Sequence, residues 1–247
     1  MSLVETDWLE KNLGNVKIID CSWHMPQTRR NGLAEYEVKH IPNAIFFDID
    51  QNSKKNTSLP HMLVDTKNWG EIVSKMGINK NDKLVIYDNS DVISSCRCWF
   101  NFIYFGHNPK LTFVLNGGLK KWLIENKKVT DKKTIIESSN YIASENKTMV
   151  KVKNEIDENI KNNNFKLIDG RSKERFEGKV SEPREGLRSG NIENSFCIPF
   201  NSCLNKDKTF KNKTELIKIF KIHLKNLDEN NIVFSCGSGI TACVLAL

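Results

Sequence analysis

Residues 230–247 read "NNIVFSCGSGITACVLAL". Ile232, Val233 and Phe234 are the β-branched and aromatic types that fill a buried strand. Cys236 follows, then Gly237 and Gly239 on either side of Ser238, then small residues that can open a helix near Thr241. A strand that passes through a glycine turn into a helix is the building unit of a parallel sheet, and such sheets take ligands at the carboxyl ends of their strands. Cys236 stands where a parallel sheet would hold a reactive group.

Upstream, one plan is written twice. "VKIIDCSWHM" is a strand run ending at Asp20, followed by an Arg-bearing loop, "KHIPNAIFFDID", and a later strand "KLVIYDNS". "FKLIDGRSKERF" ends its strand at Asp169, followed by an Arg-rich loop, "GNIENSFCIPFN", and a later strand "NIVFSCGS". The interval from Asp20 to Ile86 nearly equals that from Asp169 to Phe234. Between the strands, "LVDTKNWGEIVSKMG", with Gly77 as its stop, and "NKTELIKIFKIHLKNL", with Leu216, Ile217, Phe220 and Leu224 on one face, predict amphipathic helices. Strands alternating with helices predict an α/β fold, each half a parallel sheet flanked by helices. The expected organisation is an N-terminal domain over 1–130, a polar connection over 131–148, and a C-terminal domain over 149–247.

Composition excludes several classes. The chain has 247 residues, 39% hydrophobic and 27% charged, within the range of ordinary globular proteins. No stretch approaches the roughly 20 apolar residues of a membrane helix. The opening "MSLVETDWLEKNLGNVKIID" has neither an apolar signal core nor an Arg-rich leader, so a cytoplasmic protein is expected. The net charge of +7 is spread through Lys/Asn-rich polar stretches such as "ENKKVTDKK" rather than gathered in a stripe, and no nucleic-acid partner is expected. Seven scattered cysteines suit reduced thiols. Cys96 and Cys98 in "SCRCW" stand too close together for a zinc knuckle and lack a matching pair, so no metal is expected.

Cys236 differs from the other six cysteines in its surroundings. Glycines on either side of Ser238 let successive backbone N–H groups turn inward, and a following helix start would add its positive end. Such a cradle favours an anion and readies a thiol as nucleophile. Phosphatase chemistry would require an arginine about six residues on to grip phosphate; that position is Ala242. Aligning the halves sets Asp88 of "VIYDNS" against Cys236 of "VFSCGS", so the first half lacks the nucleophile.

Over essentially its whole length the chain resembles the two-domain rhodanese superfamily, in its mercaptopyruvate sulfurtransferase branch. The segments that carry the resemblance are "DCSWHMP", "HIPNAIFFDID", "LPHML", "WFNFIYFGH", "NGGLKKW", "DGRSKERF", "SEPREG", "GNIENSFCIPF" and "CGSGITA". The resemblance implies transfer of sulfur from 3-mercaptopyruvate through a cysteine persulfide to a thiol acceptor, a thioredoxin among the candidates, or to cyanide, with pyruvate released and no cofactor. It implies that Cys236 carries the sulfur, that Gly237, Ser238, Gly239, Ile240 and Thr241 surround the persulfide, and that Arg175 and Arg184 hold the substrate's carboxylate and keto oxygen. Guanidinium forks suit a carboxylate on shape alone; the alternative is ion pairing within a loop that also holds Glu174, Glu177, Glu182 and Glu185. Asp50, His61 and Ser238 match a polar relay that moves a proton. Thiosulfate is the alternative donor, and a non-catalytic rhodanese-like binding module is the alternative to an enzyme. Family members continue past the position of Leu247, so a second domain incomplete at its C-terminus, with apolar surface uncovered, is expected.

Overall fold

The computed structural model describes residues 2–224 and 231–247. The chain divides into two compact units, chiefly between Lys147 and Thr148.

The first unit runs through β1 (Leu3–Val4), α1 (Thr6–Asn12), β2 (Lys17–Asp20), α2 (Gly32–Val38), β3 (Ala44–Phe46), α3 (Thr66–Lys75), β4 (Leu84–Tyr87), α4 (Ser95–Tyr104), β5 (Thr112–Leu115) and α5 (Gly118–Ile124). Its five strands are all parallel, in the order β1-β5-β4-β2-β3. Ile18, Val85 and Tyr87 pack on one face with Leu9, Leu115 and Trp122. The alternate residues Ile19 and Ile86 are equally buried, so helices cover both faces, as a parallel sheet requires. α3 begins where expected, because the Asp65 carboxylate accepts from the Asn68 N–H at 2.8 Å, and Gly77 follows it with φ +64.

The second unit contains α6 (Lys153–Asn162), β6 (Lys166–Asp169), α7 (Lys173–Phe176), β7 (Phe196–Cys197), α8 (Lys213–Lys221), β8 (Ile232–Ser235) and α9 (Ala242–Ala246). Its described strands are parallel in the order β7-β6-β8. The core gathers Ile168, Ile198, Cys203, Leu224 and Leu245, with Leu216, Ile219 and Phe220 of α8 against it. α8 opens on a reciprocal cap between Asn212 and Glu215. It ends at Lys221, earlier than the apolar periodicity predicts; Leu224 still reaches the core, and residues 225–227 of the predicted helix lie outside the described residues. β8 is one of the two edge strands of this sheet among the described residues, and its four residues are half-buried.

In each unit the strand ending in aspartate lies between the other two of its set, pairing Asp20 with Phe46 and Tyr87, and Asp169 with Cys197 and Ser235. The two buried carboxylates are treated differently. Asp20 accepts from the Ser22 N–H at 2.9 Å, and burial pushes it up to about 6. Asp169 has Arg171 wrapped on it, Nη2 to Oδ2 at 2.6 Å.

The polar tract over 131–148 is pinned along the first unit. Thr134 Oγ1 donates to the Ala44 carbonyl at 2.6 Å, Ser139 Oγ to Ile78 at 2.6 Å, and the Ser144 N–H to Phe105 at 3.0 Å. The Ser and Thr residues that read as a loop are those whose hydroxyls and N–H groups meet backbone groups. None of the described helices is long and apolar enough to cross a membrane.

Candidate active site

β8 delivers Cys236 past the end of the second sheet, and the Gly170 N–H, at the end of β6, donates to the Ser235 carbonyl at 2.8 Å. A side chain at Gly170 would meet the Thr241 carbonyl at 3.2 Å, so glycine lets the loop close over β6. The loop then reverses through Gly239, whose φ of +78 is the left-handed region that disfavours side chains. The Gly239 N–H, carried on the peptide from Ser238, points at the Cys236 sulfur, 3.1 Å away. The Cys243 thiol donates to the Gly239 carbonyl at 3.0 Å, and Ile240 is buried, so the loop is held from behind. Thr241 accepts from the Val244 N–H at 3.2 Å as α9 begins.

Gly237 serves a different purpose from the expected curl. Its Cβ would lie 3.1 Å from Arg175 Nη2, so its smallness admits a guanidinium rather than a reversed backbone. At the same residue, Arg184 Nη2 donates to the Gly237 carbonyl at 2.5 Å. Cys236, Gly237, Gly239, Arg175 and Arg184 thus come together; Ser238, half-buried, lies between the two glycines.

Arg175 does not present an open fork. Its Nε donates to Glu182 Oε1 at 3.1 Å and its Nη2 to Oε2 at 2.5 Å. Glu182 Oε1 also accepts from Arg171 Nη1 at 2.8 Å, and its side chain is 4% exposed. The hydrogen bond from Arg175 holds the Glu182 carboxyl below the usual carboxylate range, against its burial. Asp169, Arg171, Glu182 and Arg175 form a charge-balanced chain from the end of β6 to Gly237. Glu182 entered the sequence reading only as a possible ion-pair partner, and Arg171 went unremarked, although the latter follows the strand-ending aspartate by two residues.

In the first unit, His61 Nε2 donates to Asp50 Oδ1 at 2.9 Å, and Trp23 Nε1 donates to Asp50 Oδ2 at 2.9 Å. The His61 bond, the largest cause, lowers the Asp50 carboxyl from its ordinary value. His61 is buried with φ +57, and Arg97 Nη2 fixes its carbonyl at 2.6 Å. Sequence reasoning missed Trp23 and Arg97; "SCRCW" drew notice for its cysteines, which are both buried in α4.

At the position matching Cys236, the Asp88 carboxylate accepts from the Ser90 N–H at 2.7 Å and the Ser95 N–H at 3.0 Å. It is 5% exposed, and burial raises its pKa. The first unit's loop is closed around its own carboxylate.

The family description "Rhodanese-like domain" matches residues 5–125, the half without Cys236. The chain is similar to "Thiosulfate/3-mercaptopyruvate sulfurtransferase 1, mitochondrial" of Arabidopsis thaliana, with 37% identity over 99% of this chain and 70% of that protein. It is similar to the 3-mercaptopyruvate sulfurtransferase of Homo sapiens, with 33% identity over 100% of this chain and 84% of that protein. Among solved structures it resembles SseA from Escherichia coli, described as a 3-mercaptopyruvate sulfotransferase with the rhodanese fold, at a TM-score of 0.88 and 28% identity, covering 100% of this chain and 92% of that one.

Proposed function

Given that this chain belongs to the sulfurtransferases built on the rhodanese-like domain, we propose that its donor is 3-mercaptopyruvate and that the sulfur travels as a persulfide on Cys236. The observation that carries the reading is the Gly239 N–H directed at the Cys236 sulfur, with Arg184 and Arg175 both against Gly237 of the same loop.

The Cys236 thiolate attacks the donor sulfur, forming an S–S bond as the C–S bond breaks. The electron pair of that bond enters the enolate of pyruvate, which takes a proton at carbon. The Gly239 N–H supports the anionic persulfide. A thiol acceptor, a small thiol or a thioredoxin, then attacks the outer sulfur and leaves Cys236 as thiolate. Arg184 and Arg175 hold the donor's carboxylate and keto oxygen. The resemblance assigns proton movement to Asp50, His61 and Ser238; the 2.9 Å bond between His61 and Asp50 supports the first two.

The two halves read as copies of one plan, supported by the matching arrangements β4-β2-β3 and β8-β6-β7. We assign the first copy no catalytic role, because Asp88 fills the nucleophile position. Seven free cysteines fit a reducing compartment, the cytoplasm in our reading.

The test is steady-state turnover of both donors. Mercaptopyruvate should exceed thiosulfate in kcat/KM by at least roughly tenfold, about 1.4 kcal/mol of transition-state preference. Equal or better use of thiosulfate would assign the chain the other donor.

A further inference from the structure

Resting on the mercaptopyruvate reading, we propose that Glu182 is a specificity-determining residue: it cancels the charge of Arg175, so that one guanidinium charge is left to face the Cys236 thiolate and the donor together, and a monoanionic donor is favoured over a dianionic one.

The argument is a charge balance. Asp169 is matched by Arg171, and Glu182 spans Arg171 and Arg175, using Oε1 for both and Oε2 for Arg175. Two carboxylates thereby meet two guanidiniums. Arg184 bonds the neutral Gly237 carbonyl and, among the described residues, forms no ion pair with a carboxylate. One guanidinium charge is left to face the Cys236 thiolate and a ligand. A 2-oxo acid adds a single carboxylate to that balance, whereas thiosulfate would bring two charges into a half-buried site with no further cation to match them. The clamp also fixes geometry. With Nε and one edge of Nη2 committed to Glu182, Arg175 keeps Nη1 as its open edge, and its Nη2 lies against Gly237 beside the sulfur. A change of charge at residue 182 is therefore felt at the reacting loop.

Three variants separate charge from bracing. Glu182→Gln keeps size and an acceptor but removes the charge; Glu182→Asp keeps the charge with a shorter reach; Glu182→Ala removes both. The kcat/KM of each is measured with thiosulfate and with mercaptopyruvate. Separately, sulfate and pyruvate are titrated calorimetrically into Cys236→Ser protein with and without the Gln or Ala change. The Gln and Ala variants should raise the thiosulfate-to-mercaptopyruvate ratio about tenfold and tighten sulfate relative to pyruvate by a similar factor. The Asp variant should leave the ratio in place while both rates fall. Ratios that stay fixed in the Gln and Ala variants, with both donors falling together, would overturn the proposal and leave Glu182 as a brace. The anion titration needs no turnover. A wild-type protein inactive with mercaptopyruvate would remove the donor reading, while the sulfate-to-pyruvate shift would still judge Glu182.

Discussion

The backbone N–H of Gly239 donates to the sulfur of Cys236 across 3.1 Å. Gly239 also holds φ +78, which turns the chain beyond that N–H onward into α9. Gly239→Ala forces a side chain into the left-handed region, at about 1–2 kcal/mol, and displaces the donor. We expect turnover to fall at least tenfold with only a few degrees' loss in Tm. Activity within twofold of wild type would show that the N–H does not support the sulfur.

Cys236→Ser should abolish turnover and leave the fold intact, since a hydroxyl cannot carry transferable sulfur. Mass spectrometry of donor-treated wild type should place the persulfide on Cys236. A persulfide on Cys96, Cys98 or Cys203 would sink the assignment; all three are buried.

The two arginines should respond unequally. Arg184, free of a carboxylate partner among the described residues, keeps its charge but loses its two-pronged geometry on change to Lys, and KM for mercaptopyruvate should rise about tenfold. Arg175→Lys should raise KM less and lower Tm as well, because two hydrogen bonds to Glu182 are weakened. Unchanged kinetics in both variants would return the pair to a purely ion-pairing role.

Asp88→Cys should gain no sulfur transfer, most clearly in a Cys236→Ser background. The first unit's loop is closed on the Asp88 carboxylate by the Ser90 and Ser95 N–H groups and has no glycine over residues 88–95. Efficient transfer by that double variant would contradict the role given to the second unit's loop.

Burial pushes the Cys197 and Cys203 thiols up to about 11, with the nearby Asp169 carboxylate adding to the effect at Cys197. Both remain protonated at neutral pH, so their alkylation by iodoacetamide should be slow near pH 7.5 and rise about tenfold per pH unit above it. The folded chain holds these protons more tightly than the unfolded chain, whose thiols titrate near 8.5. Their contribution to stability is thus present below about pH 8.5 and lost as pH rises toward 11. Rapid labelling of Cys197 at neutral pH would contradict its raised pKa.

Local pattern was enough to find the strands and the loop. The apolar runs ending at Asp20, Tyr87, Asp169 and Ser235 announce parallel strands because a strand buried on both faces has no polar alternation to hide. Cys236 between such a run and a pair of glycines was legible for the same reason: turn chemistry lies within a few residues. The helix caps at Asp65 and Asn212 are equally local. What only the tertiary structure decided depends on where separated side chains meet. Arg175 looked like an open fork until the loop path brought Glu182 across it, and Arg171 was silent in sequence because its partners, Asp169 and Glu182, lie on a strand end and a loop. Gly237 read as part of an inward curl of the backbone, whereas a neighbouring guanidinium is what excludes a side chain there. The polar tract over 131–148 read as a connection, and its hydroxyls proved to be bonded to backbone groups of the first unit. Periodicity and turn preference are encoded over single turns and strands; ion-pair partners and close approaches are set by the three-dimensional path of the chain.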